Sequence, residues 1–340
     1  MRIEDEIKLT FDDVLIRPKR STLVSRSEVV LERQFKFKHT NEIWTGVPIF
    51  SANMDTTGTF ETAITLQKHK MLTAIHKFYS IKDWEKNVEK LDPNFISVTV
   101  GQSKEDLQLG QKIFSLNSDI KYLCIDVANG YREDFINSVK NYRETFPDKI
   151  IIAGNVATRE MTEALILAGA DIVKIGIGPG SVCTTRSVAG VGYPQLSSIS
   201  ECSDAAHGLG GHVMADGGCK YPGDVSKAFG AGADYVMLGG MFAGHKESGG
   251  ELVTDEEGVQ YKDFYGMSST KAQQTYYGDL AEHRAPEGKK VRLRYKGELD
   301  KTVQSILGGM RSACSYVGAK KLKDLPCLLY TSPSPRDPIG

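Results

Sequence analysis

Eight short apolar runs recur along the middle of the chain, separated by segments whose apolar residues follow a helical spacing. Apolar residues are nearly continuous within each run, which is typical of strands buried on both faces. The runs cover residues 47–53, 71–76, 95–100, 122–127, 150–154, 172–177, 212–216 and 235–239. Helical patterns lie at 59–69, 106–116, 135–146, 159–168, 197–209 and 222–230. The alternation predicts parallel strands joined by helices.

Eight such repeats favour a closed (β/α)8 TIM barrel, of the α/β class, over an open doubly wound sheet. An open sheet usually has fewer strands and carries a G-x-G-x-x-G motif after its first strand, where this chain has none. Two regions fall outside the repeats: a charged N-terminal arm at 1–46 and a long polar flap at about 244–301. Within the flap we expect a hairpin at 251–253 and 259–264, followed by a last barrel helix at 302–317.

The pattern predicts one catalytic domain over residues 1–325 and a segment of another kind after it. Residues 326–340 contain four prolines among fifteen residues. We expect this tail to be disordered or non-native, the product of a cloning or sequence-assembly junction.

Composition and charge limit the classes of partner. The 340 residues include 42 Lys plus Arg and 43 Asp plus Glu, so the formal net charge is −1. This balance argues against a sequence-independent nucleic-acid binder, which needs a basic face. No apolar run approaches the roughly 18 residues of a membrane span, and the first residues are charged where a signal peptide is apolar. The six scattered cysteines indicate reduced thiols, so we expect a cytoplasmic protein without membrane partners.

Glycine is concentrated where the chemistry is expected. Nineteen of the 34 glycines lie between residues 169 and 250. Pairs at 217–218 and 239–240 end the seventh and eighth predicted strands, where TIM barrels often bind phosphate with backbone N–H groups. The pairs predict a phosphorylated ligand, with simple tight turns as the alternative.

The loop after the sixth strand contains the best candidate nucleophile. Cys183 lies in a polar, glycine-rich segment beside Arg186, a cation that can lower the pKa of a thiol. Cys219, directly after the 217–218 glycine pair, is the competing candidate. Cysteines within apolar runs or helices, such as Cys124, are expected to be buried and inert.

Lysines within the predicted barrel suggest a second kind of chemistry. Lys174 lies inside a strand and Lys77 follows one, and a barrel lysine can form a Schiff base with a carbonyl substrate. Lys77 is equally suited to an electrostatic pair with Asp126. The seven histidines are scattered and form no HExxH motif, so no zinc signature is recognised.

Five motifs together resemble the IMP dehydrogenase/GMP reductase family over nearly the whole of residues 1–325. They are GPGSVCTTR at 178–186, GVGYPQ at 190–195, DGG at 216–218, MLGG at 237–240 and FYGMSS at 264–269. Residues 78–94 leave no room for the regulatory domains that dehydrogenases usually carry between the second and third strands. The flap at 280–289 also lacks the Arg-Tyr pair with which dehydrogenases activate water. The chain therefore resembles the reductase branch, with IMP dehydrogenase, which converts IMP to XMP with NAD, as the alternative.

The resemblance implies NADPH-dependent reductive deamination of GMP to IMP and ammonia, in purine nucleotide interconversion and salvage. Cys183 would attack C2 of the purine to form a covalent thioimidate. Thr185 and Glu287 would relay the proton that the departing ammonia requires. Hydride transfer from NADPH and expulsion of the thiolate would then give IMP.

The remaining roles are carried over from the resemblance by position. Substrate contacts would come from Ser181, Asp216, Gly217, Gly218, Gly239, Gly240, Met267, Ser268, Arg284 and Gly288. The NADPH site would include Ser25, Arg26, Lys77, Asp126, Val127 and Ala128. The backbones of Gly178 and Gly180 would bind a monovalent cation, usually potassium. A neighbouring subunit would complete the NADPH site near residues 312–316, which implies a homotetramer.

Two functions of other classes remain open on the residues alone. A Schiff-base aldolase would use Lys174 or Lys77, and it would leave the Cys183 loop unexplained. A nucleotide-binding regulator would bind GMP without turnover.

Overall fold

The N-terminal arm closes one end of a barrel. The computed structural model describes residues 5–276, 278 and 285–329, together with the backbone of 331–333. The arm contains β1 (Val14–Ile16) and an antiparallel hairpin of β2 (Arg33–Lys36) and β3 (Ile43–Gly46). The hairpin ring of Phe35 stacks on Tyr235, with centroids 4.5 Å apart, and Trp44 lies edge-on to Tyr122 at 6.1 Å. Tyr122 and Tyr235 are the first residues of barrel strands, so the hairpin closes the amino end of the barrel. We call this group of Phe35, Trp44, Tyr122 and Tyr235 the aromatic plug.

Eight parallel strands form the closed barrel and follow one another around it in chain order. They are β4 (Ile49–Ser51), β5 (Leu72–Ile75), β6 (Ile96–Val100), β7 (Tyr122–Asp126), β8 (Ile150–Val156), β9 (Ile172–Ile175), β10 (His212–Asp216) and β11 (Tyr235–Leu238). Each strand overlaps its predicted run, and β8 extends two residues further. The predicted TIM barrel is confirmed.

Helices lie between the strands and cover the barrel. They are α1 (Phe60–Leu66), α2 (Ile81–Asn87), α3 (Lys104–Leu116), α4 (Glu133–Thr145), α5 (Arg159–Ala168), α6 (Thr185–Val188), α7 (Gln195–Gly208) and α8 (Pro222–Gly230). Sequence reasoning missed α2 and α6. The first buries only Trp84, and the second is a single turn, so neither shows an apolar period.

The flap is a small sheet with one helix. Strands β12 (Leu252–Thr254), β13 (Gln260–Tyr265) and β14 (Lys290–Arg294) pair antiparallel, and α9 spans Thr270–Tyr276. The predicted hairpin is present as β12 and β13. The third strand was missed because only two apolar residues alternate within its basic sequence. Helix α10 (Leu299–Val317) then packs on α8 and α1, and it begins three residues before the predicted helix.

Part of the tail has regular structure. Helix α11 covers Leu325–Leu328, and the backbone of β15 (Thr331–Pro333) pairs antiparallel with β1. The expectation of disorder therefore does not hold for residues 326–329 and 331–333. Residues 334–340 lie outside the described residues. The boundary at 325 and the non-native origin of the tail stay predictions.

Among the described residues, no helix combines the length and the apolar character that crossing a bilayer requires.

Candidate active site

The carboxyl ends of the barrel strands form the mouth opposite the aromatic plug. The loop after β9 contains Cys183, and the loops after β10 and β11 contain the two glycine pairs. Flap residues on either side of α9 lie against the cysteine loop. This arrangement brings most of the predicted site residues to one end of the barrel, where TIM-barrel active sites lie.

Cys183, Thr185 and Glu287 form a continuous hydrogen-bonded chain. The Thr185 hydroxyl donates to Oε2 of Glu287 at 2.7 Å, and Cys183 Sγ lies 3.3 Å from the same hydroxyl oxygen. Because the single hydroxyl proton is directed at the carboxylate, the thiol is the donor to Thr185. The chain can therefore carry a proton between the thiol and the carboxylate. The predicted catalytic residues meet although Glu287 lies 102 residues from Thr185.

Backbone pairing fixes this flap segment against the cysteine loop. Cys183 and Gly288 form an antiparallel bridge, and the Thr184 N–H donates to the Glu287 carbonyl at 3.0 Å. The Glu287 N–H donates to the carbonyl of Ser268 at 3.1 Å. A Cβ on Gly288 would lie 2.9 Å from the Ser269 nitrogen, so the close approach requires glycine. Met267 and Ser268 thereby lie beside Gly288, whereas Arg284 lies outside the described residues.

Glycines line the neighbouring part of the mouth. Gly217 and Gly218 have φ angles of +91° and +90°, which other residues rarely adopt. A Cβ on Gly217 would lie 3.1 Å from the Gly180 nitrogen, and one on Gly240 would lie 3.1 Å from the Ser181 hydroxyl oxygen. The two glycine pairs therefore both border the cysteine loop, as a shared phosphate cradle requires.

The loop around Gly178 and Gly180 is packed against Arg186. The Arg186 guanidinium donates to the carbonyls of Ile177 at 3.4 Å and Tyr193 at 2.6 Å. The Gly180 carbonyl already accepts the Cys183 N–H at 3.1 Å. These contacts involve the carbonyls of Ile177, Tyr193 and Gly180, and the potassium site predicted at Gly178 and Gly180 stays a prediction.

Lys174 links both sides of the mouth from within the barrel. Its side chain is 2% exposed, and its ammonium donates to Asp126, to Asp216 at 3.1 Å and to Asn53 at 3.4 Å. Asn155 also donates to Asp216, at 2.9 Å. Burial alone would lower the pKa of Lys174, but the two carboxylates raise it above its ordinary value. A Schiff base needs a neutral, accessible amine, so the geometry disfavours Lys174 in that role.

The predicted nicotinamide side lies at the ends of β5 and β7. Burial opposes ionisation of Asp126, but Lys174 and then Lys77 lower its pKa below the ordinary value. Lys77 thus lies near enough to Asp126 to lower the pKa of that carboxyl, and its predicted roles in a Schiff base and in cofactor binding stay predictions. Val127 is half-buried and Ala128 is exposed, so this side of the mouth is open to a ligand.

Ser25 and Arg26 lie on a different part of the surface. Both are exposed, and nearby on the arm the Val30 N–H donates to the Lys320 carbonyl, just after α10, at 2.9 Å. No contact among the described residues joins Ser25 or Arg26 to the mouth. These two residues are therefore separated from the other predicted cofactor residues.

Burial makes four of the other five thiols harder to ionise. Burial raises the pKa of Cys124 to about 12 and those of Cys202 and Cys314 to about 11. Burial also raises the pKa of Cys219 well above the ordinary value, which disfavours its thiolate. Cys219 is therefore disfavoured as the competing nucleophile.

Sequence reasoning missed the anchor of the flap. Tyr276, at the end of α9, donates its hydroxyl to Asp55 Oδ2 at 2.6 Å, and the Tyr265 hydroxyl donates to the same oxygen. The Tyr276 ring also stacks on Phe78, with centroids 3.6 Å apart and planes at 13°. These residues lie far apart in sequence. The only signal in the sequence was that Asp55 and Phe78 follow barrel strands, whereas Tyr265 and Tyr276 belong to the flap.

Comparisons with known proteins agree with this geometry. The family described as IMP dehydrogenase / GMP reductase domain matches residues 8–329. A GMP reductase of Buchnera aphidicola subsp. Acyrthosiphon pisum (strain Tuc7) is 58% identical over 96% of this chain and 94% of the relative. GMP reductases of Escherichia coli O81 (strain ED1a) and of Aeromonas hydrophila subsp. hydrophila are 57% and 56% identical over the same shares. The matched length and the cysteine-loop geometry lead to one conclusion: the chain belongs to the IMP dehydrogenase/GMP reductase family.

Proposed function

We propose that this chain is a GMP reductase, which converts GMP to IMP and ammonia with NADPH. The hydrogen-bonded chain of Cys183, Thr185 and Glu287 is the observation that carries the proposal. The names of the relatives support the same activity.

The first half of the reaction is deamination. The Cys183 thiolate attacks C2 of GMP, the C2–N bond to the exocyclic amine breaks, and a thioimidate links the purine to Sγ. The amine leaves as ammonia only after it gains a proton. Thr185 lies between the thiol and Glu287, so the proton taken from the thiol can return through Thr185 to the leaving group.

The second half is hydride transfer. NADPH, when bound, supplies the hydride that C2 accepts as the C2–Sγ bond breaks, which releases IMP and the Cys183 thiolate. Lys77, Asp126, Val127 and Ala128 would bind and orient the nicotinamide at the open side of the mouth. The ionised Asp126 carboxylate is held in place by Lys174.

The other groups bind the mononucleotide. Asp216, oriented by Lys174 and Asn155, is placed to accept a hydrogen bond from a ribose hydroxyl. Ser181 and the two glycine pairs would hold the phosphate through one hydroxyl and backbone N–H groups. Met267, Ser268, Gly288 and Arg284 would complete the purine pocket.

The wider setting belongs to the same proposal. We infer a cytoplasmic homotetramer acting in purine salvage, in which Ser25 and Arg26 serve the NADPH site of a neighbouring subunit. Their separation from the mouth of their own chain supports this arrangement. The predicted potassium site draws no support from the Gly178–Gly180 loop and stays a prediction.

The test is a GMP-dependent NADPH oxidation assay with ammonia measured in parallel. We expect one ammonia released for each NADPH oxidised, and a Cys183→Ala variant should lose at least about 10³-fold in turnover while it still binds GMP. Formation of XMP from IMP and NAD would indicate the dehydrogenase instead. GMP binding without turnover in the reduced wild-type protein would indicate a regulator.

A further inference from the structure

Three side chains that can ligate a metal ion converge near the amino end of the barrel, away from the active site. His207 lies near the end of α7, His212 begins β10, and Asp234 directly precedes β11. One ligand atom from each of the three lies within 4.8 Å of the other two. The three meet because α7 leads into β10 and β10 pairs with β11.

The hydrogen bonds of His212 leave a lone pair directed into this cluster. His212 Nε2 lies 3.1 Å from the Lys36 carbonyl, which only accepts, so in the neutral ring Nε2 carries the proton. Nδ1 is then an acceptor, and within the described part of the chain it is buried without a partner at good hydrogen-bond geometry. It faces Asp234 Oδ2 at 3.4 Å. A cation bound between the two atoms would remove the repulsion between the lone pair and the carboxylate.

The surrounding contacts orient all three ligands. His207 Nε2 lies 2.7 Å from the same Asp234 oxygen. That oxygen also accepts the Val213 N–H at 3.1 Å, and Arg33 donates to the other carboxylate oxygen at 3.2 Å. Metal-binding histidines typically donate their second N–H to a carbonyl or carboxylate, as His212 does here.

We propose that His207, His212 and Asp234 form a binding site for a divalent transition-metal ion, with Zn²⁺ as the best match. Two imidazole nitrogens and one carboxylate oxygen are a donor set typical of zinc, with the fourth position left to water. His207 is 46% exposed in its side chain, so the site is open to solvent. Tetrahedral ligands about 2.0–2.2 Å from zinc lie about 3.3–3.6 Å apart. The His212–Asp234 separation of 3.4 Å already matches this distance, whereas the His207–Asp234 pair at 2.7 Å must separate.

The position of the site indicates a structural role. The ion would join α7, β10 and the segment before β11, and the bonds to Lys36 and Arg33 connect these to the aromatic plug. The Arg33 guanidinium reduces the attraction for a cation, so we expect weaker binding than at an all-anionic structural site. The site is independent of the proposed reductase activity.

The experiment adds Zn²⁺ or Co²⁺ to chelator-treated, full-length protein. We expect one equivalent of Co²⁺ to give tetrahedral d–d absorption without the charge-transfer band of a thiolate ligand. Saturating Zn²⁺ should raise Tm by about 2 °C or more, because only the folded state presents the three ligands together. Repeating both measurements in Cys183→Ala excludes the active-site thiol as the ligand.

Two histidine variants separate the metal site from a hydrogen-bonded pair. His207→Gln retains a donor for Asp234 but removes the imidazole, and we expect metal affinity to fall at least about 10-fold. His69→Gln is the matched control, because His69 Nε2 bonds to Asp300 at 2.6 Å in a pair without a second histidine. The proposal is overturned if the wild type shows neither the absorption nor the Tm rise, or if His207→Gln retains both.

Discussion

Two buried charges lie three residues apart in the chain, one directly before strand β9 and one within it, and they differ in what surrounds them. Asp171 directly precedes β9 and is fully buried, and its carboxylate accepts the backbone N–H groups of His39 and Ile151, each at 3.0 Å. The Arg143 guanidinium also donates to the Asp171 carboxylate, at 2.5 Å. All of these partners are structural groups of the protein. The Asp171 carboxylate, at the amino end of β9, therefore serves to hold these elements together.

Lys174, further along β9, has partners that face the mouth. Asp126 and Asp216 are 30% and 20% exposed in their side chains, although the ammonium between them is almost fully buried. A buried charge must be paired at either end of the strand. At the mouth, however, the paired carboxylates keep free acceptor positions that a ligand can use. The comparison indicates that one network stabilises the barrel and the other prepares a site.

The largest expected effect is on stability, from Arg143→Met. This change leaves Asp171 buried without its cation, so we expect the free energy of unfolding to fall by about 3–5 kcal/mol. Urea unfolding measures the loss, and steady-state kinetics on the same protein should show unchanged KM values for GMP and NADPH. A clear change in either KM with the fold intact would contradict a purely structural role for this pair.

Lys174→Met should give a smaller loss of stability and a large loss of activity. Both carboxylates reach solvent, so we expect the unfolding free energy to fall by about 2–3 kcal/mol, less than for a fully buried pair. Because the ammonium orients both carboxylates, KM should rise for GMP and for NADPH together. Lys262→Met is the control, since Lys262 is also buried but donates to the backbone carbonyls of Lys246 and Ser248. An equal rise of KM in Lys174→Met and Lys262→Met would show that Lys174 has no special role in orienting the ligand-binding carboxylates.

Substitution of either carboxylate alone should affect the KM of one ligand, GMP or NADPH, and not of the other. Asp216→Asn should raise KM for GMP about 10-fold, and Asp126→Asn should do the same for NADPH, because each loses a charge-assisted hydrogen bond. Steady-state titrations of GMP and of NADPH with each variant measure the two KM values separately. In the double variant the two effects should not add, because Lys174 contacts both carboxylates. Strict additivity would mean that the shared ammonium does not couple the two sides.

The barrel could be predicted from the sequence because each strand is buried on both faces. Continuous apolar runs such as residues 150–154 then mark the strands, and the polar residues that follow them mark the mouth. Cys183 could also be predicted from the sequence, because a thiol in a polar glycine-rich loop differs from one in an apolar run. These signals are local, and local patterns are what a single sequence displays.

The networks across the mouth could not be predicted, because they join residues that only the closed barrel brings together. Lys174 interrupts an apolar run, and from this local signal the only role suggested for it was a Schiff base. Its actual role depends on Asp126 and Asp216, which belong to two other strands. The aromatic plug was missed for the same reason: Phe35 and Trp44 lie in a charged arm, and their partners begin strands far along the chain.

The smallest expected effect concerns Asp55, a carboxylate at the mouth that holds the flap instead of a ligand. Tyr276→Phe keeps the ring stacked on Phe78 and removes only the hydroxyl bonded to Asp55. Because Tyr265 still donates to the same Asp55 oxygen, we expect the loss to be no larger than that of an ordinary hydrogen bond, about 0.5–1.5 kcal/mol, so kcat/KM should fall about 2- to 10-fold. Tyr142→Phe is the control, because it removes a hydroxyl bonded to the Gly101 carbonyl at 3.1 Å, away from the flap. If both variants change kcat/KM equally, Asp55 does not position the flap. If only Tyr276→Phe does, the mouth contains carboxylates of two kinds, those that face ligands and one that holds the flap over them.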